Sequence, residues 1–224
     1  MWHLSFLNNI IPWQGDDNCM NWTWFIACEM QFFLLVPFLV SAYYYNRHRF
    51  WIMILVIWSA ASITSLVIIV QNDLSASYFT YNDEYWTIYY QKPYTRLPAY
   101  LIGLIFGCHY FSFKHENSEQ EFYQNQARRR NLEEDDDPTI LNSELRPMPD
   151  NLLISTFHKL QDSNIAGLIA VLMGIAVKMI LVSIVVQINK EPIDANPFSN
   201  LIFLLFQRPV FVIGGSLAIM PFIL

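Results

Sequence analysis

Charged residues are scarce in this sequence. Asp, Glu, Lys and Arg fill 14 % of its 224 positions, against about 25 % in soluble domains. Hydrophobic residues reach 54 % and aromatic residues 16 %, which excludes a water-soluble domain and puts the membrane class first. Basic residues form no continuous face. The net charge of -6 comes mainly from an acidic run, Glu133 to Asp137, so nucleic acid is not an expected partner. Cysteines number only three, without metal-type spacing. Cys28 and Cys108 lie in apolar runs, where a thiol acts as a small hydrophobe, and Cys19 is left over in a polar loop, so no disulfide framework exists. None of the five histidines forms an i, i+4 pair, and no Ser or Cys has the glycines of a nucleophile elbow. Neither a metal site nor a hydrolase triad is supported, and no bound cofactor is expected. The opening "MWHLSFLNNIIPW" has no basic n-region and no long apolar h-region, which excludes a signal or transit peptide there. No internal repeat is present.

Five long apolar stretches are present, at about 24-44, 50-71, 97-113, 165-189 and 199-224. Crossing roughly 30 Å of hydrocarbon takes about 20 apolar residues. The backbone must satisfy its own hydrogen bonds in lipid, and these runs show no alternation, so they predict helices. The expected fold is an all-α integral membrane bundle of about five transmembrane helices with a polar, largely disordered inner loop. It divides into 1-113 with three helices and an aromatic outer loop, 114-164 as charged linker, and 165-224 with the last two helices.

Arg47, Arg49, Lys114, Arg128, Arg129, Arg130, Arg146 and Lys159 fall on one side of this arrangement, and Lys92, Arg96 and Lys190 on the other. The positive-inside rule then puts the N-terminus on the non-cytoplasmic side, or the non-matrix side if the membrane is mitochondrial. The linker mixes an Arg run, an acidic run and three prolines with few apolar residues, a composition that cannot bury enough surface to fold alone. The outer segment after Gln71 instead carries Tyr78, Tyr81, Tyr85, Trp86, Tyr89, Tyr90 and Tyr94. Such rings favour the headgroup level, so an ordered interfacial loop is expected.

Several polar residues stand where lipid should be. Glu29 and Gln31 lie two apart in "WFIACEMQFFLLVPFLV" and point roughly 200° from each other on a helix. An intramembrane carboxylate is costly, so Glu29 is expected to face the bundle interior or a wet cavity, paired with Arg208 or Lys178. Arg208 precedes Pro209, where the helix lacks a backbone donor. His109 is the only histidine in a span and reads as a satisfied residue near the inner end. Gly103 and Gly107 form a small-xxx-small stripe that would admit a neighbouring helix.

These stretches resemble a known family. "CMNWTWFIACEMQFFLLVPFLV" is similar to the Trp-x-x-x-x-Glu-x-Gln-Phe-Tyr segment of the membrane acyltransferase-3 family. "YQKPYTRLPAYLIGLIFG" looks like the Tyr-x-Lys-Pro-Tyr-x-Arg-x-x-x-Tyr-Leu-x-Gly segment of its nose resistant to fluoxetine branch, and "LIFLLFQRPVFVIGGSLAI" like its late Arg-bearing helix. Trp24, Glu29, Gln31, Phe32, Lys92, Tyr94, Arg96, Tyr100, Gly103 and Arg208 carry over, while Phe33 stands where the family has Tyr. The family's first helix, with an Arg and a His taken as the catalytic base, and its closing Pro-Leu-Ser-Arg-Leu-Thr-Tyr segment do not appear. The chain therefore reads as the middle of that domain.

The resemblance implies movement of an acyl group from a cytoplasmic acyl-CoA-like donor to a hydroxyl acceptor. Glu29 would support the chemistry by orienting a base, and Gln31, Arg96 and Arg208 would bind substrate. The competing expectation is a catalytically inactive structural subunit of a larger membrane complex. Besides the lipid bilayer, the expected partners are other membrane subunits or a missing portion of the chain. A transporter ranks last, because no inverted repeat or pair of broken helices is visible.

Overall fold

The computed structural model describes residues 5–11, 23–74, 85–133, 163–190 and 197–223. The described residues form five α-helices and no strand: α1 (Trp24–Tyr45), α2 (Arg47–Gln71), α3 (Pro93–Glu133), α4 (Asn164–Lys190) and α5 (Pro197–Ile223). A π-helical turn, Tyr85–Tyr90, precedes α3. Four helices, α1, α2, α4 and α5, are long and apolar enough to cross a membrane. α3 packs among them, although Tyr100, His109, Tyr110 and Ser112 dilute its apolar character over the stretch read as the third span.

One residue separates α1 from α2. Asn46 is extended, and its side-chain oxygen accepts from the His48 and Arg49 backbone N–H groups at 2.9 and 3.3 Å, capping α2. Pro93 opens α3, where its missing N–H costs nothing. α3 then continues as helix to Glu133, twenty residues into the segment read as linker. The physical reason is local: Glu, Gln, Ala and Arg dominate residues 119–133 and all favour helix, and no proline comes before Pro138. The rest of that segment, 134–162, lies outside the described residues.

The chain turns back at each connection, so α1 starts at one end of the bundle, called upper here, and meets α2 at the lower end. At the lower end Leu39, Tyr43, Phe50, Ile54, Leu101 and Cys108 form a core where α1, α2 and α3 meet. The buried Tyr43 and Ser112 hydroxyls lie 3.2 Å apart, and His109 meets the Tyr43 ring at 5.3 Å and the Ile105 carbonyl oxygen at 2.8 Å. His109 is thus a satisfied residue. At the upper end Ile69, Leu74, Tyr85, Tyr89, Phe203 and Leu204 form a second core. The described part of the tyrosine-rich segment is ordered and packs its Tyr85 and Tyr89 rings into this core. Tyr89 is 1 % exposed, because its hydroxyl reaches a partner inside the bundle. Tyr78 and Tyr81 lie outside the described residues.

The closest helix pair is α4 with α5. A Cβ at Gly174 would collide with the Gly214 carbonyl oxygen and lie 2.7 Å from the Ala218 nitrogen. Gly103 and Gly107 behave differently. Nothing lies within 4 Å of a Cβ built at either, so the stripe read as a helix contact faces open space. Gly174→Ala is expected to weaken the α4–α5 pair, since helix propensity returns less than about 1 kcal/mol and overpacking against backbone costs roughly 1–3 kcal/mol. Thermal unfolding of the detergent-solubilised protein checks this, with Gly103→Ala as the variant expected to lose nothing.

Candidate functional site

A cleft of about 640 Å³ opens at the upper end between α1 and α3 on one side and α4 and α5 on the other. Its walls are mostly apolar: Phe32, Tyr100, Leu181, Val185, Phe203 and Phe211 contribute. Glu29 from α1, Arg96 from α3 and Gln207 with Arg208 from α5 supply its polar groups. Three of the four residues singled out in the sequence therefore share one cavity.

Gln31 does not line it. Two positions along α1 turn a side chain to another face, and there Gln31 clamps the segment 5–11. Its Nε2 donates to the Phe6 carbonyl oxygen and to Asn9 Oδ1, both at 2.8 Å, and Asn9 Nδ2 returns a bond to Gln31 Oε1 at 3.3 Å. Phe33, at the position of a family tyrosine, is 63 % exposed and points away from the core, so the absent hydroxyl is not taken from the cleft.

The expected ion pair of Glu29 is absent. Among the described residues the one ion pair joins His115 and Glu119 at 3.8 Å, and Glu29 pairs with neither Arg208 nor Lys178. Arg208 is turned aside: its Nη1 donates to Thr95 Oγ1 at 2.5 Å. Lys178 lies near the midpoint of α4, with Nζ 5.1 Å from the Phe211 ring centre, nearer mid-bilayer than Glu29. Glu29 consequently presents its carboxylate to the open cleft.

Aromatic rings hold the guanidiniums in place. Arg96 lies 4.3 Å from the Trp24 ring centre and 4.9 Å from that of Tyr90, while its Nε donates to the Tyr90 carbonyl oxygen at 3.3 Å. Arg208 lies 5.3 Å from both the Tyr89 and Tyr90 rings. Each such contact is worth about 0.5–2 kcal/mol, more as water is excluded. Tyr90 thereby lies beside two cations. Arg208 Nη2 is shielded from solvent without a hydrogen-bond partner among the described residues, a donor left for something else. Trp24 is one of the residues the family resemblance carries over, whereas Tyr89, Tyr90 and Thr95 are not among the site residues that the sequence singles out. The available signal was the density of tyrosine before α3, which was assigned to the membrane surface.

The turn between the tyrosines and α3 is fixed by Thr95 and Lys92. Thr95 Oγ1 lies 2.9 Å from the Lys92 carbonyl oxygen and 3.1 Å from that of Tyr89. Lys92, 2 % exposed, donates from Nζ to the Asn9 carbonyl oxygen at 2.9 Å. Burial pulls its pKa from 10.5 down to about 8. Between those two values the unfolded chain binds the proton and the folded chain does not, so stability rises with pH across that window and the gain is absent below about 8. Unfolding temperatures of the purified protein over this range are expected to show the rise, and Lys92→Met is expected to flatten it.

Chemically, the arrangement offers a carboxylate and two ring-held guanidiniums lining one apolar-walled cleft, with no group of three or more His, Cys, Asp or Glu suited to a metal among the described residues. It can hold an anion and orient a proton-transfer group beside it. No curated protein and no solved structure matches the chain. A family model described as an acyltransferase domain matches residues 2–224, nearly the whole sequence. With that match and its membrane-spanning helices, the chain belongs to the acyltransferase-3 family of membrane acyltransferase domains.

Proposed function

We propose that the cleft is a site of O-acyl transfer, from an acyl-CoA-like thioester to a hydroxyl acceptor. The observation that carries this reading is the convergence of Glu29, Arg96 and Arg208, from three helices, on one cavity. In the reaction the acceptor O–H bond and the thioester C–S bond break, an ester C–O bond forms, and the proton ends on the departing thiol. Glu29 orients the base that takes that proton. The guanidiniums hold an anionic group and face the developing oxyanion, where the apolar walls strengthen their field.

The basic residues near Arg47 and along the lower part of α3 favour a cytoplasmic lower end with the N-terminus opposite, so the acyl group of a cytoplasmic donor has to reach a cleft nearer the other side. The base itself comes from a further helix, from another portion of the protein or from a membrane subunit. Exposed apolar side chains along α4, among them Leu168, Leu172 and Met179, favour such cover or lipid. The Lys-Pro-Tyr segment at Lys92 to Tyr94 supports the nose resistant to fluoxetine branch within the family. A second reading, an inactive structural subunit, has one observation in its favour: no histidine among the described residues lines the cleft.

Membranes holding the protein are expected to transfer label from a radiolabelled short-chain acyl-CoA to a hydroxyl acceptor. Glu29→Gln is expected to lower kcat about 100-fold. Arg96→Gln and Arg208→Gln are expected to raise KM more than they lower kcat. Transfer unaffected by Glu29→Gln would overturn the assignment, and no transfer by the wild type would leave the structural reading in place.

A further inference from the structure

A second cavity, about 460 Å³ and apolar apart from Lys178 of α4 and Ser216 of α5, adjoins the first toward the lower end. The two share Phe211 and Val212. Phe106, Gly107 and Tyr110 of α3 form one wall, and Gly215, Ile219 and Ile223 of α5 the other. From Arg208 to Ile223 the rise along α5 is about 22 Å, more than half of the roughly 30 Å of hydrocarbon in a bilayer. The two adjacent cavities thus carry two guanidiniums and a carboxylate at one end and, behind them, a mainly apolar groove the length of one acyl chain with Lys178 on its α4 side.

We propose that the hydroxyl acceptor is a single-chain phospholipid, with its phosphate between Arg96 and Arg208, its free glycerol hydroxyl at Glu29, and its acyl chain in the groove. The chemistry at Glu29 rests on the acyl-transfer reading, whereas the placement of the lipid rests on the cavities. Two guanidiniums complement a phosphate, the unsatisfied Arg208 Nη2 supplies a donor for it, and planar forks suit its oxygens. The groove has room for one chain and ends among apolar side chains, which suits a lysophospholipid. A soluble sugar acceptor would leave it empty. The step forms an ester C–O bond at the glycerol hydroxyl, breaks the thioester C–S bond, and leaves the proton on the thiol.

The test uses the full protein in nanodiscs with lysophosphatidic acid bearing a diazirine on its acyl chain, followed by peptide mapping. Label is expected on α3 around 106–110 and on α5 around 211–223. Gly107→Leu fills the groove from a position where a Cβ meets nothing, and is expected to cut labelling about tenfold. Gly103→Leu, equally open but outside the groove, is expected to leave it unchanged. Arg96→Gln with Arg208→Gln is expected to reduce labelling about tenfold or more. Unlabelled lysophosphatidic acid should compete where glycerol phosphate at the same concentration does not. Labelling spread evenly over all helices, or unchanged by Gly107→Leu, overturns the proposal, and so does full competition by glycerol phosphate. If the arginine variants fail to fold, the glycine pair decides alone. Groove labelling without acyl transfer keeps the lipid site and removes the reaction. Transfer to a soluble acceptor without groove labelling does the reverse.

Discussion

A hydrogen bond 2.6 Å long, from the Tyr89 hydroxyl to the Leu204 carbonyl oxygen, joins the π-helical turn to α5 where both groups are shut off from water. Inside a bundle a polar group without a partner costs several kcal/mol, so this contact decides where the turn goes. Once Tyr89 is anchored, Tyr90 falls between Arg96 and Arg208 and Thr95 comes within reach of the Arg208 guanidinium. The upper core of Tyr85, Phe203 and Leu204 closes around the same point. Both cations of the cleft are therefore positioned by a segment that crosses nothing.

Packing around the cleft is uneven, and that unevenness makes the cavity. α4 sits tightly on α5 through Gly174 and Gly214, which lets two backbones meet. No such approach joins α3 to α5, whose facing glycine, Gly107, has open space before it. The cleft and the apolar groove fill the resulting gap. Glu29 accordingly avoids burial by opening into a cavity instead of forming the ion pair that an intramembrane carboxylate would otherwise need.

Particular residues show how much of this was legible. Length and apolar runs predict α1, α2, α4 and α5, because hydrocarbon thickness sets the length of a span. The 200° separation of Glu29 and Gln31 follows from helical period alone, and the two do face different neighbours, one the cleft and one Asn9. Gly103 and Gly107 misled, since a small-residue stripe states that a helix can approach and not that one does. The extension of α3 to Glu133 was hidden because charge-rich composition describes solvation and leaves helix propensity aside.

What the sequence determined by itself was membrane residence, helical class, the chief chemistry-bearing residues of the cleft, and the likeness to a family, all of which depend on residue types and short spacings. Only the tertiary structure decided that Glu29, Arg96 and Arg208 share a cavity, that Gln31 does not, and that tyrosines hold the arginines. Those three lie on helices far apart in the chain. Their meeting depends on how closely each helix pair packs, which is set by side-chain volumes and buried hydrogen bonds summed over the whole bundle.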